Sequence, residues 1–152
     1  MSERLSPRGL KALIGTELHL SDWLAMTQDR IDAFAACSGD RQWIHVDRER
    51  AAAGPLQGTV AHGFLVLSLL TAWLQESALF QSRYRMAVNY GLDRVRFVHP
   101  VKPGQRIRMR AVLREVRRKG FFKLLLKIDC TVEIEGVEKP ALVAELLGMI
   151  FL

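Results

Sequence analysis

The chain has 152 residues, of which 49% are hydrophobic and 25% charged. This balance is typical of one folded domain with a core and excludes a disordered chain, so we expect a single domain over residues 1–152. The formal net charge of +6 favours an anionic partner, although charge alone does not choose among nucleic acid, a membrane surface and a phosphorylated small molecule.

The cysteines and the apolar segments indicate where the protein works. Cys37 and Cys130 form no CxxC pair, so we expect two small buried apolar residues in a reducing compartment. The N-terminal residues lack the apolar stretch of a secretory signal. The longest apolar run, VAHGFLVLSLLTAWL, is shorter than the ~18 uninterrupted residues of a membrane span. We therefore expect a cytoplasmic protein with no membrane partner.

A first helix is predicted from Thr27, which is suited to be its N-cap, to Gly39, which is suited to be its C-cap. Three apolar residues follow the helical spacing i, i+3, i+4: Ile31, Phe34 and Ala35. Asp40 then lies just past the helix end. Asp47 can cap a short helix through RERAAAG.

A long helix is predicted from about Val60 to Ala78, after the loop GPLQGT. It is apolar nearly all round, which is typical of a helix that other elements enclose.

The second half of the chain predicts strands. In FFKLLLKIDCTVEI every even position from 122 to 134 is apolar. In residues 106–114 the odd positions are apolar and four of the five even positions are arginine. RRKGF supplies the turn between these strands. Gly136 and Pro140 mark another turn into ALVAELLGMIFL, and RVRFVHPV is a candidate fourth strand. The expected fold class is α+β, with an antiparallel sheet around one buried helix.

The stretch SGDRQWIHVD carries an acid, Asp40, and an imidazole, His45, five positions apart. A helix would place them about 140° apart and a strand would place them on opposite faces, so they converge only if the chain between them turns. Downstream, VAHGF begins the long helix, and a glycine there leaves unpaired N–H groups open to a ligand.

These motifs, together with the enclosed helix, resemble the hot-dog fold of the MaoC-like dehydratases, the R-specific enoyl-CoA hydratases, and most closely their nodulation protein N-like branch. The matching positions are Gly39, Asp40, Ile44, His45, Asp47, Ala61, His62 and Gly63.

The resemblance implies a catalytic dyad of Asp40 and His45, with the Gly63 N–H as oxyanion donor and Ser68 as a helix residue near the dyad. It implies reversible syn hydration of trans-2-enoyl-CoA to (R)-3-hydroxyacyl-CoA, with coenzyme A entering only as part of the substrate. No cofactor and no metal are expected. A homodimer is expected, because it is the family's usual assembly and because a single sheet would expose a long edge.

The chain departs from the family pattern at two positions: Gln42 stands where Asn is usual and Trp43 where Pro is usual. We expect Trp43 and Ile44 to exclude water from the dyad, with Trp43 packed against the core. The competing interpretation is that Trp43 faces the acyl tunnel.

Two other functions remain open at this point: a hot-dog acyl-CoA thioesterase and a non-catalytic acyl-CoA-binding protein. Nucleic acid is not expected as a partner, because the aromatic residues fall in apolar patterns. The arginine row, Arg106, Arg108, Arg110 and Arg114, predicts a solvated sheet face, with attraction of coenzyme A phosphates as the alternative. His62 is expected to be structural, and on a buried helix Ser68 most often only bonds a backbone carbonyl.

Overall fold

The computed structural model of the chain describes residues 6–81 and 84–152. The helices are α1 Pro7–Ala12, α2 Gln28–Ser38, α3 Trp43–Val46, α4 Arg48–Ala52 and α5 Gly63–Gln75. The strands are β1 Glu17–Leu20, β2 Leu24–Ala25, β3 Met86–Phe97, β4 Arg106–Arg118, β5 Lys123–Ile134 and β6 Val137–Phe151. No helix in the described part of the chain has the length and hydropathy to cross a membrane.

The strands form one antiparallel sheet in the order β1-β4-β5-β6-β3, and β2 also pairs with β4. β4, β5 and β6 are neighbours in the sheet and follow one another in the chain, as the sequence predicted. β3 therefore lies at one edge of the sheet, and the short β1 and β2 lie at the other.

The core lies between α5 and one face of the sheet. Apolar residues that alternate along β4 and β5 point into it, including Ile107, Met109, Leu126 and Ile128, all at 0% exposure. This confirms the alternation seen in the sequence and the predicted α+β class.

α5 packs against the sheet as expected, but one of its faces is open to solvent in the single chain. Leu65, Leu70 and Trp73 are buried against the sheet, but on the opposite face Phe64 is 68% exposed and Ser68 is also exposed. The helix begins at Gly63 rather than near Val60, because the N–H groups of Val60 and Ala61 bond the carbonyls of Ile44 and Val101.

The predicted ends of two strands also need correction. Phe122 is not a buried strand residue: it is 72% exposed at the tip of the β4–β5 hairpin, and β5 begins one residue later. Pro140 does not mark a turn, because it lies within β6. The β5–β6 register shifts between Val132 and Ile134, and such an irregularity tolerates a residue without an N–H.

The cysteine prediction is right for one residue only. Cys130 is buried in the core, where burial raises the pKa of its thiol to about 12. Cys37 is exposed, because α2 turns Ile31 and Ala35 toward the core and position 37 falls on the outer face.

Candidate active site

Asp40 lies in the loop that leaves α2. Thr27 caps the start of this helix and Gly39 ends it with a left-handed φ of 82°, as predicted. The Asp40 N–H then donates to Ser38 Oγ at 3.2 Å, and the Asp40 carboxylate accepts from the Gln42 N–H at 3.3 Å. The carboxylate is thereby oriented toward the chain that follows, although the residue is exposed to solvent.

The turn that the Asp40–His45 spacing required is the single-turn helix α3. It brings His45 inward, where the residue is 7% exposed. One carboxylate oxygen of Asp40 and one ring nitrogen of His45 lie within 4.8 Å of each other. One water molecule can bridge atoms at such a separation.

Two hydrogen bonds fix His45. Its Nδ1 lies 2.7 Å from the Val60 carbonyl, and because a carbonyl only accepts, this nitrogen carries the proton and Nε2 keeps its lone pair. The His45 backbone carbonyl accepts from Gln28 Nε2 at 2.8 Å, and Gln28 in turn accepts from Thr59 Oγ1 at 2.5 Å.

The environment of His45 favours the neutral ring. Burial lowers the pKa of the imidazole below its ordinary value of 6.5, the Val60 hydrogen bond and the Asp40 carboxylate oppose that change, and repulsion from His62 adds to it. At neutral pH the ring therefore presents an unprotonated Nε2, which can accept a proton.

An apolar cavity of about 330 Å³ adjoins the dyad, and both His45 and Gly63 line it. The rest of its wall is largely apolar: Ile44, Leu56, Val60, Ala61, Val66, Phe97, Val98, Pro100, Val101 and Ala141, together with His99. The cavity has the character of a site for an aliphatic ligand whose polar end meets His45 and Gly63.

Gly63 is the first residue of α5, and the N-cap residue His62 makes no side-chain capping bond. The first N–H groups of a helix have no acceptor within it, and they carry the positive end of the helix dipole. A Cβ at position 63 would lie 2.8 Å from the ring of Phe97, so only glycine fits at this wall without displacing that ring.

Ser68 does not reach the cavity. Its Oγ donates to the Leu65 carbonyl at 2.7 Å and the residue is exposed, which is the ordinary backbone bond of a helical serine. Its suggested role near the dyad stays a prediction.

Trp43 packs away from the dyad. Its ring lies under the guanidinium of Arg50 at 4.5 Å and fills the space beside Gly54. The cavity is lined by Ile44 and not by Trp43, so the structure favours the packing interpretation over the tunnel one. We expected Trp43 to exclude water from the dyad, but Asp40 is exposed to solvent in the single chain.

The arginine row lies on a partly exposed sheet face, which agrees with the predicted solvated face, and its side chains form ion pairs that were not predicted. Arg108 and Arg110 pair with Glu133, Arg106 pairs with Glu135, and Arg114 pairs with Asp129. Apart from Glu135, which follows the end of β5, these side chains come from the adjacent antiparallel strands β4 and β5, where opposite charges stabilise the pairing. The alternative role in attracting coenzyme A phosphates gains no support, because each cation already has a carboxylate partner.

Asp40, His45 and His62 form a cluster of three potential metal ligands, with one donor atom of each within 4.8 Å of the others. The sequence did not reveal it, because His62 follows Asp40 by 22 positions. However, the two imidazoles are stacked, with centroids 3.7 Å apart and planes 25° apart. Because ring-nitrogen lone pairs lie in the ring plane, two nearly parallel imidazoles are poorly placed to aim both at one ion, so the geometry suits acid–base chemistry better than metal binding.

Sequence reasoning missed Gln28 and Thr59. Both link α2 and the loop before α5 to the backbone of His45. The signal available was weak, because a glutamine at the start of a helix and a threonine after a glycine are common surface residues.

A family model described as "MaoC like domain" matches residues 10–129. The chain belongs to the MaoC-like dehydratase family.

Two curated proteins and one solved structure illustrate the relationship. The chain is 46% identical over 136 residues to 3-hydroxyacyl-thioester dehydratase Z of Mycobacterium tuberculosis, covering 90% of this chain and 89% of that protein. It is 47% identical over 148 residues to Nodulation protein N of Rhizobium leguminosarum bv. viciae, covering 96% and 91%. The structure of the (R)-hydratase from A. caviae superposes with a TM-score of 0.74 at 20% identity, covering 89% of this chain and 94% of that one.

These comparisons confirm the resemblance noted in the sequence and the α+β hot-dog fold of this MaoC-like chain. At 20% identity the structural likeness speaks for the fold alone.

Proposed function

We propose that this protein is a hydro-lyase of the R-specific enoyl-CoA hydratase type. It would add water reversibly to a trans-2-enoyl-CoA and give the (R)-3-hydroxyacyl-CoA. One observation carries the proposal. His45, with Nε2 unprotonated, lies close to the Asp40 carboxylate and lines the same apolar cavity as Gly63, the first residue of α5. Membership of a dehydratase family and the name of one relative, 3-hydroxyacyl-thioester dehydratase Z, support the reaction class.

The reaction needs a base for water, a proton for C2 and donors for the enolate oxygen. In our proposal the Asp40 carboxylate and His45 Nε2 hold one water. Nε2 takes a proton while the water oxygen bonds to C3, and the thioester oxygen gains negative charge against the Gly63 N–H. The proton then passes from Nε2 to C2, and the thioester carbonyl re-forms. Both additions come from one side of the double bond, which gives syn hydration.

The chemistry proposed here uses neither a metal nor a redox cofactor, and coenzyme A is part of the substrate. The acyl chain would enter the cavity beside Ile44 and Phe97. We further propose a cytoplasmic location, consistent with two cysteines outside any CxxC pair.

The decisive test is the loss of enoyl-thioester absorbance with crotonyl-CoA and with longer trans-2-enoyl-CoAs, followed by chiral analysis of the product. Asp40→Asn and His45→Gln should each lower kcat by at least ~10², and the double variant should lose little more than the worse single variant.

Circular dichroism and thermal unfolding should show that these variants keep the fold. Near-wild-type hydration by Asp40→Asn would contradict the mechanism. Release of free thiol without loss of the double bond would instead identify a thioesterase, and binding of an acyl-CoA with no turnover would identify a binding protein.

A further inference from the structure

His62 is a buried polar side chain that contacts both Asp40 and His45 and has no part in the reaction proposed above. It is 2% exposed, and its Nδ1 has no hydrogen-bond partner among the described residues. We propose that His62 is a positioning residue of the active site, which holds the backbone of Asp40 and the ring of His45 in a fixed relation to each other. This inference rests on the proposed function.

The first contact is a hydrogen bond to the Asp40 backbone. His62 Nε2 lies 2.9 Å from the Asp40 carbonyl oxygen, so this nitrogen carries the proton and donates. Asp40 is otherwise held through Ser38 and Gln42, both in the same exposed stretch of chain. The bond from His62 ties this loop to α5, the element that carries Gly63.

The second contact is a ring stack. The imidazole of His62 stacks on that of His45, with ring centroids 3.7 Å apart, and it also contacts the ring of Phe34, with centroids 5.0 Å apart. The Val60 hydrogen bond fixes the direction of Nδ1 within the His45 ring plane. The stack fixes the tilt of that plane, and the two together set the direction of the Nε2 lone pair.

The third effect is electrostatic. Two protonated imidazoles this close would repel each other, so His62 lowers the pKa of His45. Burial is the larger cause of that lowering. The other groups facing His45 are the Asp40 carboxylate and the Val60 carbonyl, which act in the opposite direction. Gln28 meets only its backbone oxygen. His99 lines the same cavity with its Nδ1 against the Pro100 carbonyl.

Two variants separate these effects. His62→Gln places an amide N–H near the position of Nε2 and removes the ring, whereas His62→Phe keeps a ring for stacking and removes the donor. His19→Gln is the matched control, because His19 lies on β1 and its Nε2 is 3.7 Å from Glu76.

We expect His62→Phe to lower kcat by at least about tenfold with KM within about twofold, because small displacements of catalytic groups act on the chemical step. His62→Gln should recover part of that loss. The acid limb of the kcat/KM profile should move to higher pH in both variants and stay in place in His19→Gln.

A second readout is independent of activity. The titration of the His45 ring, followed by NMR, should show a higher pKa in both His62 variants than in the wild type. The carbonyl shift of Asp40 should change in His62→Phe more than in His62→Gln. If the wild type hydrates no enoyl-CoA, the proposed function fails, while this titration still decides whether His62 governs His45.

Wild-type kcat in a folded His62→Phe protein, or an unchanged His45 pKa in either variant, would overturn the inference. If His62→Phe does not fold, His62→Gln decides through the His45 titration alone. If the His62 variants lose thermal stability and kcat together while the acid limb of the kcat/KM profile stays in place, His62 is only structural.

Discussion

At the scale of single residues, the chemistry of the site follows from which nitrogen of His45 carries the proton. The Val60 carbonyl places that proton on Nδ1, so the nitrogen available for water is Nε2. Asp40 and His45 are five positions apart in the sequence. The tautomer of His45, in contrast, is set by Val60, which lies 15 positions after His45.

The lowered pKa of His45 gives a prediction for the dependence of activity on pH. Hydration needs Nε2 unprotonated, so kcat/KM should rise with pH through the His45 pKa and stay level above it. Because burial lowers that pKa, the midpoint of the acid limb should fall below 6.5. Initial rates with crotonyl-CoA between pH 4.5 and 8 measure it, and a midpoint clearly above 6.5 would contradict the assignment.

The same shift affects stability, with a sign that can be worked out. Below pH 6.5 the unfolded chain protonates this histidine while the folded chain resists, so the unfolded state binds more protons. The free energy of unfolding should therefore fall as pH drops from 6.5 toward the folded pKa. Urea unfolding of wild type and His45→Gln at several pH values should show this slope reduced in the variant.

At the scale of elements, the four-residue helix α3 determines how the dyad is built. The backbone already suits the proline that the family pattern has at position 43. Gln42 has φ −55° and ψ 136°, which is the conformation that a residue before proline prefers. Position 43 is the first residue of the helix, where proline is favoured.

We therefore expect Trp43→Ala to destabilise the protein by ~2 kcal/mol through loss of the ring packed beside Gly54 and Arg50. Trp43→Pro should be more stable than Trp43→Ala by about 0.4–1 kcal/mol, because proline restricts the unfolded chain. Denaturant unfolding compares the two variants. Trp43→Pro falling below Trp43→Ala in stability would show that the N–H at position 43 is needed.

The elements divide clearly into those that the sequence could predict and those that it could not. β4, β5 and α2 follow from alternation, spacing and caps, which are local properties. The start of α5 could not be predicted, because it depends on contacts distant in sequence. The N–H groups of Val60 and Ala61 bond the carbonyls of Ile44 and Val101, so these two residues stay outside the helix. The short β1 and β2 were missed, since they form only against β4.

The candidate site was predictable to a similar extent. The motif predicted Asp40, His45 and Gly63 as site residues. In the structure His45 and Gly63 line one cavity, and Asp40 lies close to His45. It did not give the contacts of His62 or Gln28, because these join residues 17 or more positions apart. Such contacts depend on how α2, α3 and α5 pack and leave no periodic trace in the sequence.

At the scale of the whole molecule, the main feature is the exposed edge of the sheet. Among the residues that the structure describes, β3 pairs with β6 alone, so one side of this twelve-residue strand has no strand partner there for its N–H and C=O groups. Large apolar side chains along it are exposed as well: Met86, Val88, Tyr90, Leu92 and Phe97. Edges of this kind are normally covered in native proteins.

We predict that the protein is at least a homodimer in which this edge is covered by a second copy. Light scattering at micromolar concentration should give about twice the 17.2 kDa chain mass. Leu92→Lys should shift the protein toward monomers. Phe121→Lys, which changes a residue 83% exposed at the β4–β5 hairpin and off the edge strand β3, should leave the mass unchanged. A monomeric wild type with full activity would contradict the prediction.

The close approach of Gly63 to Phe97 has a consequence for how the sequence can evolve. Phe97 is the last residue of the edge strand and also a wall of the cavity, and its ring occupies the space where a side chain at position 63 would stand. The two positions therefore cannot drift independently. Among homologues, any residue larger than glycine at position 63 should occur only beside a smaller residue at position 97, so a change of cavity shape would require two coordinated mutations.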